Sequence, residues 1–200
     1  TSTASRQTLF TGEATKRAAL LLKKALESKS LDELNGELFK GEYSFESDPI
    51  GSDKPNPVSH VAYSYATQVV ILNEEGFDEK VVAAHDIGHA INPSAVAGQI
   101  EGGVVMSLGY SLTEDFPLKD GVPQVKFGTL GLLRSNQIPE IETILVEKNP
   151  QDLAFGAKGI GEISSIPCAP AVQNAYFKRD GNFRLSLPLK DTPYRKGKKT

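Results

Sequence analysis

The chain has 200 residues, of which 39% are hydrophobic and 24% are charged, and its formal net charge is -3. This size and composition suit one compact globular domain. The small net charge gives no bulk attraction to nucleic acid or anionic membranes, and no apolar run reaches the roughly 20 residues that a membrane-spanning helix needs. The single cysteine, Cys168, excludes an internal disulfide. We therefore expect a cytoplasmic protein with no nucleic-acid and no membrane partner.

The N-terminal third predicts two helices and a loop. Hydrophobic residues recur at helical spacing in "EATKRAALLLKKALES", after Gly12, and basic residues fill the other face. Ser30 and Glu33 have the spacing of a capping box, which predicts a short helix over "LDELNG" that Gly36 ends. The segment "ESDPIGSDKPNP" is rich in proline, glycine, serine and aspartate and predicts a loop.

The rest of the chain predicts grouped strands and two further helices. The runs "SHVAYSYATQVVIL" and "DEKVVAAHDIG" flank "NEEGF" and predict an antiparallel hairpin. Asn92 and Pro93 are typical of a helix start, so "SAVAGQIEGGVVMSLGYSL" predicts a helix. Its glycines each cost about 1 kcal/mol relative to alanine, which indicates that the backbone must approach another group closely. "IPEIETILVEK" predicts a strand and "PCAPAVQNAYFKRDG" a short helix that ends at Gly181, and this grouping indicates an α+β fold.

The stretch "GAKGIGE" ends in Glu162, which is the main candidate for a catalytic residue. A carboxylate can act as a general base if it is held near the proton that it removes and if burial raises its pKa. Flanking glycines allow the backbone to approach a large ligand. A solvated glutamate on a surface loop explains the same residues equally well.

A glutamine and two histidines are weaker candidates. The amide of Gln99 could donate a hydrogen bond to an oxo or phosphate group, although an exposed polar helix face is the alternative. His85 and His89 resemble half a zinc site. Gly88 and Pro93 argue against a continuous helix there, and no third ligand is evident. We therefore predict that no side chain ligates a metal, and zinc binding by His85 and His89 is the alternative.

The opening "STASRQT" combines hydroxyls, an amide and Arg6 directly before a helix. This composition is suited to holding an anion or a polar cofactor through backbone and side-chain donors. A disordered terminus is the alternative.

Three motifs in this order, "STASRQT", "HDIGHAINPSAVAGQIEGG" and "GAKGIGE", resemble those of the molybdenum hydroxylases, the xanthine dehydrogenase and aldehyde oxidoreductase family. The resemblance extends from Thr1 to about Thr192. It implies that residues 1–200 are the C-terminal molybdopterin-binding domain of the large, molybdenum-binding subunit. Within the family, "LPLKDTP" and "GYSLTEDFP" look most like bacterial selenium-dependent xanthine dehydrogenases.

The resemblance implies a role for each motif. The glutamate of the family's GxGE motif is the catalytic base, and here it is Glu162. The glutamine of "GQIEGG" approaches the ligands of the molybdenum, and the segment "TASRQT" corresponds to one that wraps the pyranopterin dinucleotide. The implied cofactor-binding residues are Gln99, Ala4, Ser5, Arg6, Gln7, Lys158, Gly159 and Gly161.

The resemblance also implies a reaction and a set of cofactors. Glu162 would remove a proton from a water-derived nucleophile, so that oxygen from water reaches an electron-poor carbon of a purine or related N-heterocycle. The cofactor would be molybdenum-molybdopterin in its cytosine dinucleotide form, with a sulfido or selenido ligand. Electrons would leave through iron-sulfur clusters and FAD on other domains or subunits.

We expect the chain to be a piece of a longer polypeptide, because it opens in a polar stretch and its only methionine is Met106. The implied partners are the preceding molybdenum-binding half, the iron-sulfur and FAD domains or subunits, a heterocyclic substrate and further copies in a homo-oligomeric complex. We expect the 200-residue chain by itself to be inactive and to lack stable cofactor. The alternatives are a non-catalytic cofactor-binding or assembly module with the same scaffold, and aldehyde oxidoreductase activity.

Overall fold

The structure is a computed structural model that describes residues 5–49, 51–148 and 152–195. These residues group into two compact units, each built from several stretches of the chain. Unit 1 comprises Thr1–Ser64, Ile87–Ile91 and Glu147–Gly159, and unit 2 comprises Tyr65–Asp86, Asn92–Val146 and Ile160–Thr200, in their described parts.

Unit 1 contains one long helix, α1, which spans Gln7–Ala25. The predicted start after Gly12 is wrong, because the helix begins earlier and runs through this glycine. A Cβ atom at Gly12 would lie only 3.2 Å from the Cβ of Ala154. The glycine therefore lets α1 pack closely against the Leu153–Gly156 turn of the same unit, in which Ala154 and Phe155 have left-handed backbone angles.

The short helix predicted over residues 31–36 is also wrong, since these residues form successive turns. The capping box itself is present: the Ser30 amide donates to Glu33 Oε2 at 2.7 Å, and the Glu33 amide donates to Ser30 Oγ at 3.3 Å. Gly36 follows at a positive φ of 87°. Six residues are too few to offset the cost of helix nucleation, so the capping box stabilises turns instead of a helix.

The chain around residues 153–158 is fixed by backbone hydrogen bonds within unit 1. The buried carboxylate of Glu13 accepts a hydrogen bond from the Ala154 amide at 2.8 Å, and this bond holds the pKa of Glu13 below its usual value. Further along, the Lys158 amide donates to the Ile87 carbonyl at 3.0 Å. These bonds hold in place the stretch from which the Lys158 side chain extends.

Unit 2 contains a three-stranded sheet of β1 (Ala66–Leu72), β2 (Asp78–Asp86) and β5 (Glu140–Val146), with β2 in the centre. β1 and β2 form the predicted antiparallel hairpin, and β5 is the predicted third strand. β5 runs parallel to β2. Two short strands, β3 (Leu118–Lys119) and β4 (Val122–Pro123), pair as a separate ribbon.

Two helices complete unit 2: α2 spans Pro93–Leu112 and α3 spans Cys168–Asp180. The predicted start of α2 is confirmed, because Asn92 Oδ1 accepts from the Ala95 amide at 3.1 Å and proline follows it. α3 ends at Gly181, which is left-handed with a φ of 73°. The helices bury a single core with the sheet, composed of Val70, Val81, Ala83, Ile100, Val104, Leu108, Leu112, Cys168, Val172, Tyr176 and Leu189.

The mixed helices and grouped strands confirm the predicted α+β class. Among the described helices, none combines the length and the hydropathy that a bilayer crossing requires.

Candidate functional site

Glu162 lies in a run of turns, residues 161–167, that directly precedes α3. Burial would raise the pKa of a general base, but Glu162 is exposed among the described residues. Its backbone is ordered by the turn: the Glu162 carbonyl accepts from the Ser165 amide at 3.2 Å and from Ser165 Oγ at 2.9 Å. The carboxylate itself forms no hydrogen bond or ion pair with the described residues.

Gln99 lies on the exposed side of α2, in the second turn of the helix. Its Nε2 atom donates to the carbonyl oxygen of Gly161 at 3.4 Å, a long hydrogen bond. Because Gly161 directly precedes Glu162, this bond brings three of the sequence-predicted residues together within unit 2.

Two of the four glycines of α2 allow a close approach, as the sequence predicts, and two do not. A Cβ atom at Gly103 would lie 2.1 Å from Ser164 Oγ and 2.6 Å from Ser164 Cβ. At Gly109 it would lie 2.3 Å from Glu114 Oε1. No atom of the described residues comes within 4 Å of a Cβ at Gly98 or Gly102. Gly103 therefore lets α2 approach the turn that carries Glu162.

A buried polar cluster, which we call the Gln68 cluster, consists of Gln68, His85 and Ser164. Gln68 Nε2 donates to the Ser164 carbonyl at 2.8 Å and lies 3.4 Å from His85 Nε2. Burial lowers the pKa of His85, and a hydrogen bond with the Ala83 backbone opposes this effect in part. Gln68 and Ser164 were not predicted from the sequence. Gln68 lies at an inward position of an alternating strand, and this pattern could have indicated that it is buried.

The two histidines of "HDIGHAINP" have different surroundings. His85 is fully buried on β2 in unit 2. His89 belongs to unit 1, is largely exposed, and its Nδ1 lies 3.2 Å from Glu147 Oε1. Within the described ranges, no three His, Cys, Asp or Glu side chains come together in a way that could hold a metal ion.

Unit 1 contains a cavity of about 60 Å³ that is lined by residues from the first third of the chain together with Lys158 and Gly159. Among them are Ser5, Arg6, Phe10, His60, Lys158 and Gly159. Ser5 has a positive φ of 59°, and a Cβ atom at Gly159 would lie 1.9 Å from the Ser5 carbonyl oxygen. The glycine thus permits direct contact between the two backbone segments, and this contact forms one wall of the cavity.

Two cationic side chains line this cavity. Lys158 Nζ donates to the Tyr63 carbonyl at 2.8 Å. The half-buried guanidinium of Arg6 has no acidic partner among the described residues. Gln7, the first residue of α1, is exposed, and its side chain bonds to Thr11 on the same helix. The cavity therefore offers cationic side chains to a polar or anionic group.

The predicted site residues accordingly fall into two sets. Ser5, Arg6, Gln7, Lys158 and Gly159 belong to unit 1, whereas Gln99, Gly161 and Glu162 belong to unit 2. Ala4 lies outside the described residues.

Comparison with known proteins identifies the class of this domain. The family model of the molybdopterin cofactor-binding domain matches residues 39–139. The chain belongs to this family, the molybdopterin-binding domains of the molybdenum hydroxylases.

Relatives by sequence are named as subunits of oxidoreductases. The xanthine dehydrogenase molybdenum-binding subunit of Escherichia coli O157:H7 is 34% identical over 124 residues, which cover 58% of this chain and 16% of that subunit. The isoquinoline 1-oxidoreductase subunit beta of Brevundimonas diminuta is 30% identical over 142 residues, covering 66% of this chain and 17% of that subunit. The chain thus spans about one sixth of the length of these relatives.

Solved structures extend the likeness over most of the chain. The aldehyde oxidoreductase of Desulfovibrio gigas matches with a TM-score of 0.72 and 26% identity, covering 92% of this chain and 22% of that enzyme. The aldehyde oxidoreductase of Desulfovibrio desulfuricans gives a TM-score of 0.70 over 88% of this chain and 21% of its own length, at 26% identity. These matches confirm the predicted family and fold.

Proposed function

We propose that residues 1–200 are the C-terminal cofactor-binding domain of a molybdenum-dependent hydroxylase, and that Glu162 is its general base. One observation carries this assignment. The backbone of the Glu162 turn is held on both sides, at Gly161 by Gln99 and at Ser164 by Gln68, whereas the carboxylate is exposed and unpaired within the described residues. A fixed backbone with an unengaged carboxylate suits a base that must meet a substrate proton.

The unit 1 cavity fits an anionic part of the molybdopterin cofactor. Arg6 and Lys158 supply cationic donors, and the contact between Gly159 and Ser5 lets backbone groups reach a ligand. A cavity of about 60 Å³ is far smaller than a dinucleotide, so it would hold one polar group of the cofactor. Ala4 and Gln7 would extend this contact along the N-terminal segment. The cytosine dinucleotide form is our proposal for the rest of the ligand.

The chain's own residues would contribute position and proton transfer. Gln99 holds the Gly161 carbonyl, and Glu162 removes a proton from the water-derived nucleophile. When bound, the molybdenum cofactor supplies the two-electron redox chemistry. The substrate we propose is a purine or related N-heterocycle, in keeping with relatives named for xanthine and isoquinoline.

Further proposals concern the complete enzyme. Its other parts would be the preceding molybdenum-binding half and the iron-sulfur and FAD domains or subunits, in a cytoplasmic homo-oligomer. Within the family, we assign the complete enzyme to the branch of the selenium-dependent xanthine dehydrogenases. The 200-residue chain by itself would be inactive, because it would lack the remaining contacts of the cofactor.

A specific observation supports aldehyde oxidation as a second candidate activity. The likeness to the Desulfovibrio gigas aldehyde oxidoreductase covers 92% of this chain, more than any sequence relative described above. A screen of the complete enzyme with N-heterocycles and with aldehydes decides between the two substrate classes.

The base is tested by Glu162→Gln in the complete enzyme. We expect kcat to fall by about 10²–10⁴, the contribution typical of general base catalysis, with molybdenum content unchanged. Glu101→Gln is the matched control, because Glu101 is an exposed carboxylate in the same "GQIEGG" motif as Gln99. Full turnover in the Glu162→Gln enzyme would exclude the proposed role. Loss of molybdenum from that variant would instead assign the glutamate to cofactor retention.

A further inference from the structure

The Gln68 cluster lies beneath the turn that carries Glu162, and all three of its residues are buried in unit 2. Gln68 is 7% exposed, and His85 and Ser164 are both 0% exposed. Gln68 and His85 point into the interior from neighbouring strands, since Gln68 pairs with Ala83 and His85 pairs with Ala66. Ser164 is two residues beyond Glu162. The cluster therefore links the sheet directly to the base-bearing turn.

The hydrogen bonds of the cluster fix how the Gln68 amide is oriented. A carbonyl oxygen can only accept, so the nitrogen of the amide must face the Ser164 carbonyl, 2.8 Å away. The second hydrogen of the same nitrogen faces His85 Nε2 at 3.4 Å. The tautomer in which Nε2 accepts this hydrogen is the neutral imidazole with its proton on Nδ1. Of the two amide hydrogens of Gln68, one then faces the Ser164 carbonyl in the turn and the other faces His85.

The Ser164 carbonyl depends on this donor. The turn segment is enclosed from the other side by α2, where only a glycine at position 103 leaves room for Ser164. Ser164 is thus held between a hydrogen bond from β1 and the backbone of α2. Loss of the Gln68 donor would leave a buried carbonyl oxygen without its partner, which favours opening of the turn.

We propose that Gln68 is a positioning residue for Glu162, acting through the carbonyl of Ser164. This inference rests on the proposed role of Glu162 as the base. Gln68 touches neither substrate nor cofactor in this scheme; it sets the place of the turn from which the carboxylate extends. A misplacement of about 1 Å can reduce the rate by about 100-fold, so a single buried bond suffices for a large effect.

The chain offers a matched control in Gln173 of α3. Its Nε2 atom donates to the Arg184 carbonyl at 3.1 Å, and its Oε1 atom is buried without a partner among the described residues. The residue type and the kind of bond are the same, but the bond does not involve the Glu162 turn. A second control is Ser164→Ala, which removes a hydroxyl without a described partner and keeps the carbonyl.

The test compares Gln68→Met with Gln173→Met in the complete, molybdenum-loaded enzyme. Hydrogen exchange is measured on the peptide that covers residues 161–167, whose Ser165 and Ile166 amides donate within the turn. We expect exchange of these amides to quicken about tenfold or more in Gln68→Met and to stay unchanged in both controls. Gln68→Leu, which also lacks the donor and adds no ionisable group to the buried site, serves if Gln68→Met does not fold.

Kinetics provides the second readout. We expect kcat to fall by about 10- to 100-fold in Gln68→Met with KM and molybdenum content unchanged, because only the placement of the base is altered. Unchanged exchange across residues 161–167 overturns the positioning role, whatever the activity. If exchange quickens but Glu162→Gln retains turnover, the positioning of the turn stands and the assignment of the base falls.

Discussion

Adjacent glycines on α2 provide a paired experiment on the Glu162 turn. Gly102 and Gly103 are both interior to the helix, so Gly→Ala at either position gains about 1 kcal/mol from helix propensity. A Cβ atom at Gly102 meets no described atom within 4 Å. The same atom at Gly103 would lie 2.6 Å from Ser164 Cβ and 3.0 Å from the Ser164 carbonyl carbon.

The size of the disturbance follows from these distances. Ordinary contact begins at 3.4 Å, so Ser164 Cβ must retreat by about 0.8 Å if Gly103 becomes alanine. Rotation of the Ser164 hydroxyl relieves only the closest contact, and the backbone of the turn must shift as well. Overpacking of this kind costs about 1–3 kcal/mol. Because the propensity gain is common to both variants, their difference in stability isolates this cost.

The assay is thermal unfolding of Gly102→Ala and Gly103→Ala, followed by circular dichroism of the purified chain. We expect Gly102→Ala to raise Tm, and we expect Gly103→Ala to melt below it by about 2–4 °C per kcal/mol of overpacking. In the complete enzyme, Gly103→Ala should also lower kcat through displacement of Glu162. Equal melting temperatures and equal turnover for the two variants would refute the close contact between α2 and Ser164.

Two further predictions concern buried polar groups of unit 2. Burial raises the pKa of Asp78 from 3.8 to about 7. The protonated carboxyl therefore favours the folded state below pH 4, and this contribution to stability is lost as the pH rises to 7. The loss is about 1.4 kcal/mol per pKa unit. Asp78→Asn should therefore flatten the decline between pH 4 and pH 7 in urea unfolding, and an unaltered decline would contradict the raised pKa. The hydroxyl of Tyr176 donates to the Gly76 carbonyl at 2.6 Å in the interior, so Tyr176→Phe should lower the free energy of unfolding by about 1–3 kcal/mol, as measured by the same method.

The elements that the sequence predicts well are those with local signals. Asn92 and Pro93 predict the start of α2, and Gly181 predicts the end of α3, because capping interactions involve only neighbours along the chain. The start of α1 was missed because its N-cap residue, Arg6, makes no side-chain capping bond and Gly12 interrupts the helical pattern. Gly12 breaks the local pattern, yet it is the residue that packs against Ala154, more than a hundred positions away.

The same distinction applies to the candidate site. Glu162 and Gln99 stand in recognisable motifs, and the structure joins Gln99 to Gly161, the residue before the glutamate. Gln68 carries no motif, and its bond to Ser164 spans 96 positions of the chain. The alternating pattern of β1 could have indicated that Gln68 is buried, but its partner Ser164 is visible only in the folded structure.

The glycines of "GAKGIGE" have different roles, and these roles explain how a glycine-rich sequence can hold the proposed base. Gly159 meets the backbone of Ser5, where any side chain would clash, so its role is close contact rather than freedom. Gly161 presents its carbonyl to Gln99. The chain is then fixed again at Ser164 by a buried donor. Between these two anchors only Glu162 and Ile163 remain, so the motif leaves a short, tethered span in which the carboxylate is the one polar side chain available for proton transfer.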